Sequence, residues 1–436
     1  MMNRRMYAGS AALAAAALIG CGVSPSDSGD IELSDEPVTI TLNWWGADSR
    51  TQRTLEAIEL FESEHPDITV EAQHSDWSGY WDRLATTTAS GDAPDVSQFD
   101  QLYLASYANR GSLLDLDTLS EFLDTSALPD GLRGSGEVDG TLYAVPVGGT
   151  PNGVLINKSI FDEYGVEVPD LDTWTWEDFD TAAQRISEAS DGEVRGVGPF
   201  GGDSFTLTVW ARQHGEELFD ETGDVVIDPS VVASYWQKAL DWIDSGAGLS
   251  AEQLSEETGV PLEQGSMATG GIAMGFSPGA MYTVHAAAMP DSELLIADWP
   301  TDSATDEGFQ YLKPTMYWAV SSGTEHPAEA GALIDFLIND ERVARIFGTD
   351  RGVPGNPAAQ EAIADDLSPA DRTTLDFTAS ITERIGDAPA ITPNGASDIE
   401  TIQSRYFERV LFGELTPEEG AKQFLDEIQS GIDAAR

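Results

Sequence analysis

Cysteine is almost absent from this chain: its 436 residues hold one, Cys21, so no internal disulfide and no cysteine-based metal centre can form. Histidine is scarce too. His65, His74, His214, His285 and His326 fall at no close metal-ligand spacing, which argues against a metal enzyme. Positive charge is the third shortage, with 22 Lys and Arg, only four of them lysine, against 76 Asp and Glu, for a net charge of −54. A nucleic-acid partner is excluded on that balance. Internal repeats are absent, and so is any apolar run of the roughly twenty residues that a membrane-crossing helix requires.

The acids are spread along the whole chain, so they form a surface and not a tail. Such a surface repels itself in dilute buffer, whereas at molar salt the screening length falls to about 3 Å. It suits a saline, halophilic setting. The melting temperature is therefore expected to rise steeply from low to molar salt, with sodium and potassium chloride acting alike; a flat curve would leave solubility as the only reason for the acidity.

The N-terminus addresses the chain to the outside. Arg4 and Arg5 precede the charge-free, alanine-rich run Met6–Gly20, the layout of a signal peptide over residues 1–20. Leu18-Ile19-Gly20-Cys21 resembles the lipobox at which bacterial and archaeal lipoproteins are cut and the new terminal cysteine receives lipid. Lipidation at Cys21, with two acyl chains for a stable anchor, places the protein outside the cytoplasm on the outer face of the membrane. Asn3-Arg4-Arg5-Met6-Tyr7 leaves the general secretory and twin-arginine routes both open. Residues 21–36 then form the lipidated cysteine and a tether rich in Ser, Asp, Gly and Pro.

The globule begins near Pro37. Val38 to Leu42 alternates as a strand, a helix starts near Asp48 with Leu55, Ile58 and Phe61 on one face, Pro66 stops it, and Ile68 to Ala72 alternates again: a strand–helix–strand unit with parallel strands. Tyr80 to Ser90 reads as a helix, Val96 to Phe99 as a short strand followed by a helix, and Leu142–Val147 and Val154–Asn157 as two more strands. Thr175 with Asp178 and Thr416 with Glu419 carry capping-box signals for helix starts, the second with Pro417 at the first helical position. The length suits two domains of ordinary size, with 41% hydrophobic residues to fill their cores.

Four stretches in order resemble the extracellular solute-binding proteins of ABC sugar importers, the group that contains maltose-binding protein. They are Trp44-Trp45-Gly46 with Leu60-Phe61-Glu62 and Pro66 to Val70; Gly91-Asp92-Ala93-Pro94-Asp95-Val96 running to Asn109-Arg110-Gly111; Gly140 to Pro146 with Leu155-Ile156-Asn157-Lys158 and Thr173 to Phe179; and Trp318-Ala319-Val320-Ser321 with His326 to Ala330 and Arg351-Gly352-Val353-Pro354. The resemblance implies an α/β, two-lobed periplasmic-binding-protein-like fold with parallel-rich sheets and a ligand cleft between the lobes. It puts the first lobe at 37–145 plus about 308–351 and the second at 146–307 plus about 352–436. It implies a monomer that binds a carbohydrate, meets the permease subunits of an ABC importer, touches the membrane only through its lipid and needs no cofactor or metal. One departure is Met316-Tyr317-Trp318, where relatives carry a glycine pair.

A sugar needs hydrogen-bonding partners for its hydroxyls and aromatic faces for its C–H groups. Aromatics beside polar residues at strand ends are therefore the candidates: Trp44, Trp45 and Asp48 after the first strand; Trp77 and Tyr80 after the second, with Trp81 inside a helix as core; and Asp100 after the third. Thr150 and Asn152 follow the first crossing, and Asp203 and Phe205 follow a Gly-rich stretch. Trp210, Phe276, Ser277, Tyr317 and Arg351 complete the set, while Trp174 and Trp176 read as interlobe or core packing.

Two enzyme patterns fail on physical grounds. Gly275-Phe276-Ser277-Pro278-Gly279 matches a nucleophile elbow, but the residue after the serine must lend a backbone N–H and Pro278 has none. Gly196-Val197-Gly198-Pro199-Phe200-Gly201 matches a dinucleotide loop but follows a polar stretch, and an exported protein meets little of that cofactor. A secreted glycosidase and a passive glycan-binding lipoprotein are the rival readings.

Overall fold

The lengths of the apolar runs decide where the chain pairs. In this computed structural model, which describes residues 31–46, 48–257, 260–302 and 308–436, the strands among the described residues are β1 (Val38–Trp45), β2 (Ile68–Ser75), β3 (Val96–Phe99), β4 (Glu137–Val138), β5 (Thr141–Leu142), β6 (Ala144–Thr150), β7 (Asn152–Asn157), β8 (Arg195–Val197), β9 (Ile272–Pro278), β10 (Leu294–Ala297) and β11 (Lys313–Val320). The signal run, Cys21 and the start of the tether lie outside the described residues. The fold starts slightly before Pro37, since the Ser34 amide donates to Glu329 at 2.7 Å. Leu33 to Arg436 forms one compact unit that contains both larger sheets.

The first sheet runs β2-β1-β3-β11-β6. β2 and β3 pair parallel to β1, and the helix Asp48–Glu64 makes the crossover between β1 and β2. β11 is antiparallel to both β3 and β6. Because β1, β2, β3 and β6 run the same way, the residues after Trp45, Ser75, Phe99 and Thr150 all emerge at one edge of this sheet. In the helix, Ile58 and Phe61 are buried as expected, but Leu55 is 40% exposed and is corrected to the solvent side.

The second sheet runs β10-β7-β9-β8, and only its β8–β9 pair is parallel. The expected parallel-rich character thus holds for part of the first sheet and not for the second. Its core is aromatic: Trp176 stacks edge-on to Trp210 at 5.3 Å and to Trp299 at 5.9 Å, with Phe179, Trp236 and Trp242 buried beside them.

The chain passes between sheets later than the sequence implies. Pro146 lies inside β6 opposite Tyr317, and pairing continues to Thr150. β6 is the last strand of its sheet, and its register with β11 shifts between Met316 and Tyr317 beside the proline, the kind of irregularity at which a missing N–H is tolerated. Pro151 alone separates β6 from β7, so one extended segment serves both sheets. Gly352 is not a crossing either: Gly149 N donates to Val353 O and Gly355 N to Val147 O, which laces the loop to β6. The helix Pro357–Ile363 still packs on the helix Glu341–Phe347, and only the helix Pro369–Ile381 turns to Tyr282–Ala288 and β10.

Candidate ligand site between the two sheets

Asp100 is placed by two local rules. It follows β3, and it caps the helix Gln101–Ala108 by accepting the Leu102 amide at 2.9 Å, a task for which a short carboxylate is suited. Opposite it stand Ser204, Phe205, Tyr311, Lys313 and Glu400, around a cavity of about 120 Å³. Asp203 caps the neighbouring helix Ser204–Gln213, accepting from the Thr206 amide at 2.8 Å and the Thr206 hydroxyl at 2.6 Å. Glu400, in the first turn of the helix Ile399–Leu411, accepts from the amide and hydroxyl of Ser204. Gln403, one turn on, fixes the loop by donating to Gly201 O and Asp203 O.

Burial and the facing charge of Asp203 push the Glu400 carboxyl up to about 7, and burial raises Asp203 as well. Lys313 is the cation that opposes both shifts, and its ammonium stands 5.6 Å from the Phe205 ring centre. Phe205 in turn meets Tyr311 edge-on at 5.4 Å. The arrangement offers carboxylate acceptors, hydroxyls and aromatic faces at one place.

Lys313 also lines a second and larger space of about 950 Å³, together with Thr150, Pro278, Arg50 and Arg351. Lys313 borders both spaces. Arg50 Nε donates to Asp350 at 2.8 Å. Arg351 is 2% exposed; its Nη2 donates to Thr54 at 2.8 Å and its guanidinium lies over Phe347 at 4.5 Å. Burial first, then the Arg50 charge, lowers Arg351 to about 9.

Of the expected site residues, the structure brings Asp100, Phe205, Thr150 and Arg351 to these spaces, with Asp203 beside Glu400. Trp45 ends β1 but lines neither space and is corrected to core packing, 8% exposed and 5.0 Å from both Trp77 and Tyr80, while Asp48 opens its helix exposed. Trp77 is 43% exposed. The others need correction. Trp44 is wholly buried on the opposite face of β1, stacked on His74, because alternation sends successive rings to opposite sides. Tyr80 and Tyr317 are core side chains whose hydroxyls donate to Gln98 O and Ser135 O. Trp210 donates to Ser234 within the second core, and Phe276 packs there against Trp299 at 4.6 Å. Asn152 is buried and accepts from the Trp299 indole, which makes it part of the crossing. Ser277 is buried, with its hydroxyl donating to Pro278 O. Trp174 and Trp176, read from the sequence as interlobe or core packing, are core, donating to Asp298 O and Gln213.

Sequence reasoning missed Glu400, Ser204, Tyr311, Lys313 and Arg50, while Arg351 was among its candidates. Lys313 had a usable signal, being one of only four lysines and standing at the start of a strand. Glu400 had none among 76 acids.

A family model described as bacterial extracellular solute-binding protein matches residues 47–344, more than half of the chain. A lipoprotein of Streptomyces antibioticus, described as uncharacterized and encoded in the oleD 5′ region, is 23% identical over 406 residues, which is 88% of this chain and 83% of that protein. Among solved structures, an extracellular solute-binding protein family 1 member from Alicyclobacillus acidocaldarius is 24% identical with a TM-score of 0.72, over 91% of this chain and 99% of that one. A periplasmic oligogalacturonide binding protein from Yersinia enterocolitica is 21% identical with a TM-score of 0.77, over 91% and 100%. These neighbours share the two-lobed fold. No helix among the described residues is long and apolar enough to cross a membrane.

Proposed function

This chain belongs to the bacterial extracellular solute-binding proteins, and from that premise we propose that it captures a carbohydrate between its lobes and presents it to the permease subunits of an ABC importer. The observation that carries the reading is the facing of Asp100, at the end of β3, with Glu400, Ser204, Phe205 and Tyr311 across one cavity. A sugar there takes hydroxyl hydrogen bonds from both sides and lays its C–H faces on rings, so ligand bridges the lobes and favours their closure. The solute that the Yersinia structure is named for is a carbohydrate as well.

A thermal-shift screen over mono- and oligosaccharides tests this. A ligand at a hundred times its dissociation constant stabilises the folded state by about 2.7 kcal/mol, and the melting temperature rises with it. If no saccharide moves the transition, the carbohydrate reading fails. Loss of uptake on deletion of the gene distinguishes an importer component from a passive glycan binder.

Anchoring through lipid on Cys21 belongs to the same proposal, supported by the lipobox-like sequence and by the lipoprotein description of the Streptomyces relative. Cys21→Ser is expected to move the protein from the membrane fraction to the medium. A variant that stays wholly membrane-bound would refute the anchor.

A further inference from the structure

Basic residues are rare in this protein and gather at one end of the cleft. Arg50, Arg53, Arg345, Arg351 and Lys313 line the space of about 950 Å³, so five of the 22 bases of the chain border one cavity. Four acids border it too, Glu56, Asp350, Asp366 and Asp371, giving five bases to four acids where the whole chain has 22 to 76. Three of those acids already have partners. Asp350 binds Arg50 at 2.8 Å and stands 3.6 Å from Arg351, while Asp371 accepts from Thr349 and Ser368. Asp366 is 3.9 Å from Arg345.

The cations are under-compensated. Among the described residues Arg53 and Lys313 form no ion pair, although acids outnumber bases more than threefold. Arg351 is almost wholly buried, and its Nη1 has no hydrogen-bond partner. The charges of Arg50 and Arg53 both bear unfavourably on it, opposed in part by the Asp350 carboxylate, which Arg50 also binds. Packing like charges against a buried, incompletely bonded guanidinium costs free energy, and an anion entering the cavity offsets that cost.

The other end of the cleft has the opposite character, with Asp100 and Glu400 at the cavity of about 120 Å³ and Lys313 bordering both spaces. We propose that the ligand is an acidic oligosaccharide, its carboxylate or other anionic group held by the arginine end and its hydroxyls by the carboxylate end. This rests on the carbohydrate reading above. It adds the charge of the ligand and its direction in the cleft. Guanidinium groups favour planar, bidentate oxyanions, which a uronic carboxylate supplies.

The test is calorimetric titration of the purified full chain with an oligouronate trimer, a sulfated trisaccharide, a neutral trisaccharide, citrate and inorganic phosphate. Each is repeated with Arg53→Gln and Arg345→Gln, both at exposed positions, with melting curves to verify the fold because Arg53 also donates to Phe347 O. The acidic saccharides are expected to bind at least about tenfold tighter than the neutral one, and each substitution to weaken them by about three- to tenfold while leaving the neutral saccharide unaffected. Preference between uronate and sulfate identifies the source of the anion. A neutral trisaccharide that binds as tightly as its acidic counterparts, or acidic binding indifferent to both substitutions, overturns the inference and leaves the carbohydrate reading standing. Citrate or phosphate bound in preference to every saccharide removes that reading, and this one with it.

Discussion

Trp45→Ala is expected to cost the folded state about 3–5 kcal/mol and to lower the melting temperature by many degrees. The ring sits in an aromatic cluster, 5.0 Å from Trp77, 5.0 Å from Tyr80 and 5.6 Å from Trp81, and its backbone carbonyl accepts from Arg50 and Gln98. Truncation leaves a cavity under the cleft edge of the first sheet. Trp77 covers that cluster from outside, so Trp77→Ala should cost the fold much less while removing a face on which a sugar can lie. Asp100→Asn gives the third comparison. Asparagine caps a helix as well as aspartate, so the fold is kept, whereas loss of the charged acceptor should weaken a ligand by about 1.5–3 kcal/mol, roughly ten- to a hundredfold. Melting curves and calorimetric titrations of all three variants, with a ligand found in the screen, read the two effects separately. A Trp45→Ala protein as stable as wild type would contradict the packing role. Unchanged affinity in both Trp77→Ala and Asp100→Asn would remove the first sheet from the site.

What the sequence made legible was mainly local. The capping boxes at Thr175 with Asp178 and Thr416 with Glu419 are present with both reciprocal bonds, because a cap is decided within four residues. The β1–helix–β2 unit followed from alternation and from Pro66, and its parallel pairing is observed from Val38 with Ile68 onward. Asp100 was legible for the same reason, as a carboxylate at the end of a short strand.

Long-range partnership was not legible. Pro146 reads locally as a break, and it is the register shift between β6 and its partner β11 that accommodates it within β6. Trp44 and Trp45 are chemically alike, so which one faces the cleft is a matter of register. Glu400 reaches the site from a helix that follows most of the chain, and its significance comes from Asp203, 197 positions earlier, which no pattern of residue types connects to it.

The Asp203–Glu400 pair gives the fold a dependence on pH that runs against ordinary acid denaturation. Both carboxyls are raised by burial, Glu400 to about 7 from an ordinary 4.5, with Lys313 the cation acting on both. A carboxyl raised on folding binds its proton more tightly in the native state than in the unfolded one. Its contribution is therefore fully present below about 4.5 and is lost as pH rises through about 7. The size is on the order of 2–3 kcal/mol. Exposed carboxylates such as Asp124, Asp178 and Asp224 are lowered by their hydrogen bonds and act in the opposite sense, but at more acidic pH. Glu400→Gln isolates the window, since glutamine still accepts from Ser204 and carries no charge at any pH. At constant salt the variant should match wild type near pH 4.5 and be about 2 kcal/mol more stable at pH 8, the difference opening between those limits. Denaturant titrations of both proteins across that range measure it directly. Parallel curves would mean that Glu400 is not held against the charge of Asp203, and the two carboxyls would then be independent acceptors instead of an electrostatically linked pair.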